Sequence, residues 1–315
     1  MLGLCLDAVN RQSLPRESYE VIVVDDGSTD GTSKIAAEKG ARVLSQPPSG
    51  PAAARNAGAK QAASPLLVFT DADCEPVGNW LEMMLAPFAL PAVAGVKGAY
   101  LSRQQELTAR FVQLEYEDKY LRMMRYSEID FVDTYSAAFR KAAFWSVQGY
   151  DTGYPNASVE DQEFSFRMAK AGHRMVFVPG ARVYHRHAHS AANYARKKYK
   201  IGYWKVRLLK RHPDKVINDT HTPQILKAQI VLFYAAMALT LAAAVAAPAP
   251  LLVSAAGAAW AAFALTTVPL AQRAAHASLR LAAATPLFLA LRSAALGAGM
   301  AAGFVGLIRS GKQKR

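Results

Sequence analysis

The sequence predicts an α/β domain built on a mostly parallel sheet, followed by a helical membrane region. Two short apolar runs end in carboxylates. They are Val21-Ile22-Val23-Val24 before Asp25-Asp26, and Leu66-Leu67-Val68-Phe69 before Thr70-Asp71-Ala72-Asp73. Both faces of each run are apolar, as in a strand covered on both sides. Helical patterns alternate with these runs, the order of a doubly wound fold. From about Ile225 the chain turns rich in Ala and Leu and free of acids.

The elements follow in order. Residues 1–13 place Leu2, Leu6 and Val9 on one helical stripe. The strand at 20–26 runs into Gly27-Ser28-Thr29-Asp30-Gly31-Thr32, a turn and helix start with Asp30 as its N-cap. Such a loop turns backbone N–H groups toward a bound anion. Arg42-Val43-Leu44 is a short strand. Gly50 to Gly58 opens a helix that tolerates Pro51 in its first turn. On that helix Arg55 is either a solvated charge or a fork for a diphosphate.

After the strand at 66–70 the pattern predicts a helix from Asn79 to about Phe88. Strands follow at 94–101 and 131–139, with a helix near 107–124 between them. Val159-Glu160-Asp161 begins a helix that Gly172 ends. Two last strands lie at 174–179 and 182–185, and His185, His187 and His189 follow at alternating positions.

Residues 190–212 interleave Tyr194, Tyr199, Tyr203 and Trp204 with eight Lys and Arg side chains. Rings plus cations suit a helix at the headgroup level of a bilayer. Residues 225–247, 251–270 and 286–308 each have the length of a membrane span. Arg292 lies inside the third, where a charge at mid-bilayer costs roughly 2.5–3.5 kcal/mol. Gly299 and Gly303 have the spacing that lets helices approach closely. The expected division is 1–190 catalytic, 191–223 a basic interfacial linker, and 224–315 membrane helices, two or three in number.

The net charge of +13 gathers before the apolar region and at the C-terminus. That placement fits the cytoplasmic face of a membrane, and no nucleic-acid-binding motif is present. Three crossings do not satisfy both basic clusters. Either the third stretch is re-entrant or interfacial, or the tail charges Arg309, Lys312, Lys314 and Arg315 lie outside. Two unpaired cysteines, Cys5 and Cys74, argue against a disulfide framework or a zinc site.

Asp71 and Asp73 sit at a strand's carboxyl end, where ligands bind in open α/β sheets. Alternate residues of an extended chain face the same way, and two carboxylates suit a hard divalent cation that also carries phosphate oxygens. Asp25-Asp26 and Glu160-Asp161 complete three acidic clusters. Together with Gly27-Ser28-Thr29-Asp30-Gly31-Thr32 and Ala54-Arg55-Asn56-Ala57-Gly58, these residues resemble the family 2 glycosyltransferases of GT-A fold, over residues 1 to about 212. Val183-Tyr184-His185 and Tyr199-Lys200-Ile201-Gly202-Tyr203-Trp204-Lys205 are similar to membrane-anchored bacterial exopolysaccharide transferases of the succinoglycan type.

The resemblance implies an inverting transferase at the cytoplasmic face of a bacterial inner membrane, as a multi-pass protein. It implies a nucleotide-sugar donor, expected to be a UDP-sugar, and a lipid-linked glycan acceptor, with polyprenyl phosphate as the alternative. Asp25, Asp26, Ser28, Arg55 and Asp71 would contact the nucleotide. Asp73, Asp71 and His185 would hold Mg²⁺ or Mn²⁺. Asp161 would be the base, with Glu160 beside it in the catalytic set.

Two departures bear on this. The family's opening strand, of the type Val-Ser-Val-Val-Ile-Pro, is missing upstream of the first helix. A misassigned start or a truncation is therefore expected, and a non-catalytic membrane scaffold is the reading from another class. The Gln-x-x-Arg-Trp motif of processive synthases is also absent, which favours transfer of single sugars.

Overall fold

The computed structural model describes residues 1–154, 158–216, 219–246 and 249–312. The chain forms two compact units. The first comprises Met1–Arg103, Tyr120–Arg186 and Asp219–His221, and the second comprises Gln104–Lys119, His187–Asn218 and Thr222–Arg315.

The first unit alternates strand and helix. It begins with α1 (Leu2–Asn10), β1 (Ile22–Asp25), α2 (Thr32–Glu38), β2 (Arg42–Ser45) and α3 (Pro51–Gln61). β3 (Leu66–Phe69), β4 (Cys74–Pro76), α4 (Trp80–Leu85) and β5 (Val93–Leu101) follow. α5 (Leu107–Met123) is shared between the units. β6 (Ala137–Arg140), α6 (Lys141–Ser146), α7 (Glu160–Lys170) and β7 (Arg174–His185) complete the first unit. The helix after β1 is capped by Gly31, at φ +65°, and not by Asp30. Asp30 still accepts a hydrogen bond from the Thr32 hydroxyl at 2.5 Å.

The α/β expectation stands, but the sheet is mixed. β1 and β2 pair in parallel. The other five strands run in the order β3-β6-β5-β7-β4, and there only β5 and β7 are parallel. An apolar run covered on both faces requires cover on both sides, not parallel neighbours, so the sequence pattern left direction open. β1 and β3 lie in separate sheets, and no strand among the described residues joins them. α3 touches both: Gly58 packs on Val24 of β1, while Arg55 reaches Asp71 beyond β3.

Two other expectations shift. The strand foreseen at 131–139 starts at Ala137, because 134–136 form a 3₁₀ turn. Before that turn the Val132 backbone N–H bonds the Ser165 hydroxyl at 3.0 Å and not a neighbouring strand. The strands at 174–179 and 182–185 are one strand with an irregularity, between the pairs Lys97↔Phe177 and Ala99↔Arg182. Opposite it, a Cβ on Gly98 would lie 2.2 Å from the Ala181 carbonyl oxygen and 2.0 Å from Ser136 Oγ, so only glycine fits. The core gathers Phe139, Phe144, Phe164, Met168, Met175 and Tyr150 under β3, β6 and α7. Each such side chain contributes about 1.5–3 kcal/mol by burial.

The second unit is helical: the first part of α5, then α8 (Ala191–Arg211), α9 (Gln224–Val245), α10 (Pro250–Ala277) and α11 (Leu279–Lys312). Gln224–Val245, Pro250–Ala277 and Leu279–Arg309 are long and apolar enough to cross a membrane. α8 lies along α11. Tyr194 meets Phe288, Gly202 meets Leu296, and Tyr203 meets Gly303. The partners advance together, so the two helices run parallel. A Cβ on Gly299 would stand 2.1 Å from the Tyr199 carbonyl oxygen, and one on Gly303 would stand 2.3 Å from that of Tyr203. The glycine pair thus serves the contact with α8.

Candidate active site

The site is assembled from the ends of β1, β3 and β7 and the start of α7. After β1, Asp25 is buried and accepts from the Ser28 backbone N–H at 2.8 Å and from the Ser33 hydroxyl. The bonds from Ser33 and then Ser28 hold its carboxyl below the usual range. Asp26 accepts from Gln46 Nε2 at 2.7 Å and from the Ser49 and Gly50 backbone N–H groups at 2.8 Å each. Burial pushes Asp26 up, but these three bonds outweigh it and its carboxyl too sits low. Both acids are therefore ionised anchors of their loops. Ser28 is exposed at the tip of the turn.

Arg55 joins two of the acidic clusters. Its Nη2 lies 2.9 Å from Asp71 Oδ1 and its Nη1 lies 3.1 Å from Glu160 Oε1. The side chain of Arg55 is only 16% exposed, so this paired guanidinium is largely withdrawn from water. The Tyr150 ring lies 5.9 Å from its Cζ. Asn56, the next residue, clamps Tyr150 in both directions. Its Nδ2 donates to the Tyr150 carbonyl at 2.8 Å and its Oδ1 accepts from the Tyr150 N–H at 2.9 Å. The Tyr150 hydroxyl is buried without a hydrogen-bond partner among the described residues.

At the start of α7 the two acids differ. Glu160 is buried and uses both oxygens, one on Arg55 and one on the Ser158 N–H at 2.7 Å. Asp161 accepts from the Gln162 N–H at 2.7 Å. Burial, and then the Glu160 charge, push Asp161 up to about 7. A helix N-terminus favours an anion, so a low value is the expectation from sequence position alone. Here desolvation and the adjacent carboxylate are stronger. Ser165 fixes this end of the helix by donating to the Asp161 carbonyl at 2.7 Å and accepting from the Val132 N–H.

β4 accounts for the other pair. It was not legible in the sequence, being three residues long. Its antiparallel register sets Cys74 opposite His185. That brings Asp73 Oδ2 to 3.3 Å from His185 Nε2. Asp71, expected as a third ligand, is turned toward Arg55. Among the described residues no group of three or more His, Cys, Asp or Glu side chains forms a ready-made metal cage. One carboxylate and one imidazole suit a cation that draws the rest of its shell from a diphosphate and water. His187, by contrast, belongs to the second unit, with Nε2 2.9 Å from Gln113.

Lys97 was missed. It is buried on β5, paired with Asp133, with Nζ 3.3 Å from the Tyr135 hydroxyl. Its charge also favours the ionised form of Asp161. A lone cation inside the apolar run Val93–Leu101 was the available signal, because an unpaired lysine is almost never fully buried.

Residues 1–148 match the family model Glycosyl transferase family 2. The chain is 31% identical over 205 residues to the pre-mycofactocin glycosyltransferase of Mycobacterium tuberculosis, covering 62% of this chain and 43% of the relative. It is 42% identical over 84 residues to glycosyltransferase AglE of Haloferax volcanii, 25% of this chain and 28% of the relative. The chain thus spans less than half the length of these relatives. Its fold is similar to that of the mannosyltransferase PcManGT from Pyrobaculum calidifontis, solved with GDP-Man and Mn²⁺. The TM-score is 0.55 and identity 22%, covering 95% of this chain and 84% of that one. The mixed sheet, the strand-end acids and these likenesses agree: residues 1–148 match a family 2 glycosyltransferase domain, and the fold is GT-A.

Proposed function

We propose that the protein is an inverting glycosyltransferase that moves a sugar from a nucleotide donor to a lipid-linked glycan at the inner face of the cytoplasmic membrane. The observation that carries this reading is the Arg55 bridge. It ties Asp71, at the end of β3, to Glu160, at the start of α7. The donor-side acids and the raised carboxyl of Asp161 are thereby held in one framework.

In this reading the acceptor hydroxyl oxygen attacks the anomeric carbon. Its proton passes to Asp161, and the nucleoside diphosphate departs from the opposite face with the bonding electron pair. A base works best with a pKa near the working pH, which suits Asp161. Glu160 has no free oxygen and acts by positioning Arg55. Asp25 and Asp26 shape the nucleoside end by fixing the loops that bear Ser28, Ser49 and Gly50. Asp73 and His185 would hold Mg²⁺ or Mn²⁺, which supplies positive charge for the leaving diphosphate. The donor is a UDP- or GDP-sugar, and exopolysaccharide or another envelope glycan is the product class.

Residues 1–190 bear the chemistry, 191–223 lie at the membrane surface, and 224–315 anchor the chain. We read α9 and α10 as the two crossings. α11 runs parallel to α8 at close packing, so both share one depth. α8 carries eight cations and no acid. At roughly 2.5–3.5 kcal/mol per buried cation, α8 stays out of the bilayer core, and α11, packed along it, does not complete a crossing. Both basic clusters then lie on the cytoplasmic side, as the positive-inside rule requires.

The test is transfer of labelled sugar from a panel of nucleotide sugars into membrane lipid extract. The Asp161→Asn variant is expected to bind the nucleotide and transfer nothing; turnover in that variant sinks the base assignment. The division of the sheet between β1 and β3 favours a second reading, a non-catalytic scaffold. Nucleotide binding without transfer by the wild type, with every donor, would select it.

A further inference from the structure

Within the helical unit, charge is out of balance. Glu115 of α5 is buried and accepts from Arg292 Nη1 of α11 at 2.7 Å, Lys198 Nζ of α8 at 3.0 Å and the Tyr194 hydroxyl at 3.0 Å. Arg292 Nη2 donates to Gln229 of α9, a side chain only 1% exposed. Lys119, one turn along α5, is near enough for Glu115, Lys198 and Arg292 all to act on it. It forms no ion pair among the described residues. Three cations therefore share one carboxylate. The neighbouring pair Asp118 and Arg273 is self-neutralising.

Withdrawn positive charge that lacks a counter-charge is costly, and the usual remedy is an anion. Two donors point to one. Arg292 Nε is buried with no hydrogen-bond partner among the described residues, although the arginine is 6% exposed. Burial, and then repulsion by Lys198, draw Lys119 down to about 7, as expected of a lysine short of counter-charge. Gln229 is the sixth residue of α9, so it stands about 7.5 Å from the helix start at 1.5 Å per residue. In the topology proposed above, that is the depth of the inner-leaflet headgroups.

We propose that Arg292, Lys198 and Lys119, around Glu115, bind the phosphate of a lipid-linked acceptor at the inner-leaflet surface. This rests on the transferase reading for the acceptor's role, but not for the binding itself. A phosphate ester supplies two negative charges and oxygens for Arg292 Nε and Lys119. Its hydrocarbon tail would enter the bilayer beside α9. Glu115 then acts as the counter-ion that holds the cations in place when the lipid is absent.

The experiment uses full-length protein in phosphatidylcholine nanodiscs, without nucleotide sugar. Polyprenyl phosphate, the neutral polyprenol of equal length, and inorganic phosphate are compared by retained ligand and by melting temperature. Polyprenyl phosphate is expected to bind and to raise the melting temperature, while polyprenol does neither. Arg292→Gln and Lys198→Gln are each expected to weaken binding about tenfold or more. Lys119→Gln, a partly buried site outside any ion pair, weakens binding without loss of fold. Glu115→Gln gives the sharpest contrast: it unbalances the cations, so the phosphate lipid should stabilise this variant more than wild type.

Equal binding of polyprenol and polyprenyl phosphate, or wild-type binding by all three cation variants, would overturn the site. Inorganic phosphate binding with no preference for the lipid would overturn the headgroup assignment. If binding depends on these residues but the wild type, assayed separately with the nucleotide-sugar panel and membrane lipid extract, transfers no sugar, the site stands and the transferase reading falls. If transfer proceeds unchanged in all three cation variants, the site falls and that reading stands.

Discussion

Asp161 carries a raised carboxyl because two effects add: removal from water, and the charge of Glu160 next to it. The consequence for rate follows directly. In the proposed role of base Asp161 must be ionised, so transfer should fall as pH drops below about 7, tracking the protonation of Asp161. The consequence for stability has the opposite sense. With its folded pKa above its unfolded value, Asp161 stabilises the fold only when protonated, and that contribution is lost as pH rises through about 7. Asp161→Asn should therefore melt higher than wild type at pH 8, with the difference shrinking toward pH 4. An unchanged melting curve at pH 8 would contradict the raised carboxyl. Arg55→Ala leaves the buried Glu160 without its cation, a loss of about 3–5 kcal/mol in comparable buried pairs. Denaturant unfolding measures it.

At this scale much of the site was legible. The acids at 25, 26, 71, 73, 160 and 161 stand out because each ends an apolar run or starts a helix. Asn56 and Lys97 did not, although one clamps Tyr150 and the other is a buried cation. Their partners lie 94 and 36 residues away, and no local pattern encodes such contacts.

Between elements, register does what composition cannot. The β4–β7 pairing sets His185 beside Asp73. Removing the imidazole should raise the Mn²⁺ concentration needed for half-maximal nucleotide binding, by ~10-fold on the scale of losing one metal-site interaction. Isothermal titration of the His185→Ala variant with Mn²⁺ and nucleoside diphosphate reads this; an unchanged curve would remove His185 from the site. The contact of α8 with α11 offers an independent test. A leucine at Gly299 or Gly303 would drive a side chain into the α8 backbone, where a Cβ alone comes within about 2.3 Å. Overpacking of this kind costs about 1–3 kcal/mol or more. The melting temperature of Gly299→Leu in detergent should fall, and Gly257→Leu, facing open space on α10, serves as control. The sequence showed the small-residue spacing but not its partner. Hydropathy marks Leu279–Arg309 as long and apolar enough to span, whereas nothing local in those residues reveals the basic helix packed beside it.

For the whole chain, the apolar C-terminal third and the α/β N-terminal part were both legible from composition and periodicity. The mixed direction of the strands was not. Covered faces look alike in parallel and antiparallel sheets, so pairing was decided by turns and short strands such as β4. The number of crossings is the other whole-chain property. With two, a fluorescent protein fused after Arg315 should fold in the cytoplasm and a periplasmic phosphatase fused there should stay inactive; the reverse pattern would mean that α11 crosses.

The central claim is that Arg55, Glu160 and Asp161 form one catalytic framework for sugar transfer. The most direct measurement is the rate of labelled-sugar transfer into lipid, against pH, for wild type and Asp161→Asn, with nucleotide binding recorded on the same samples. The account predicts a wild-type rate that falls below about pH 7, and a variant that binds nucleotide but shows no transfer at any pH. A variant that keeps the wild-type rate and its pH profile would contradict it.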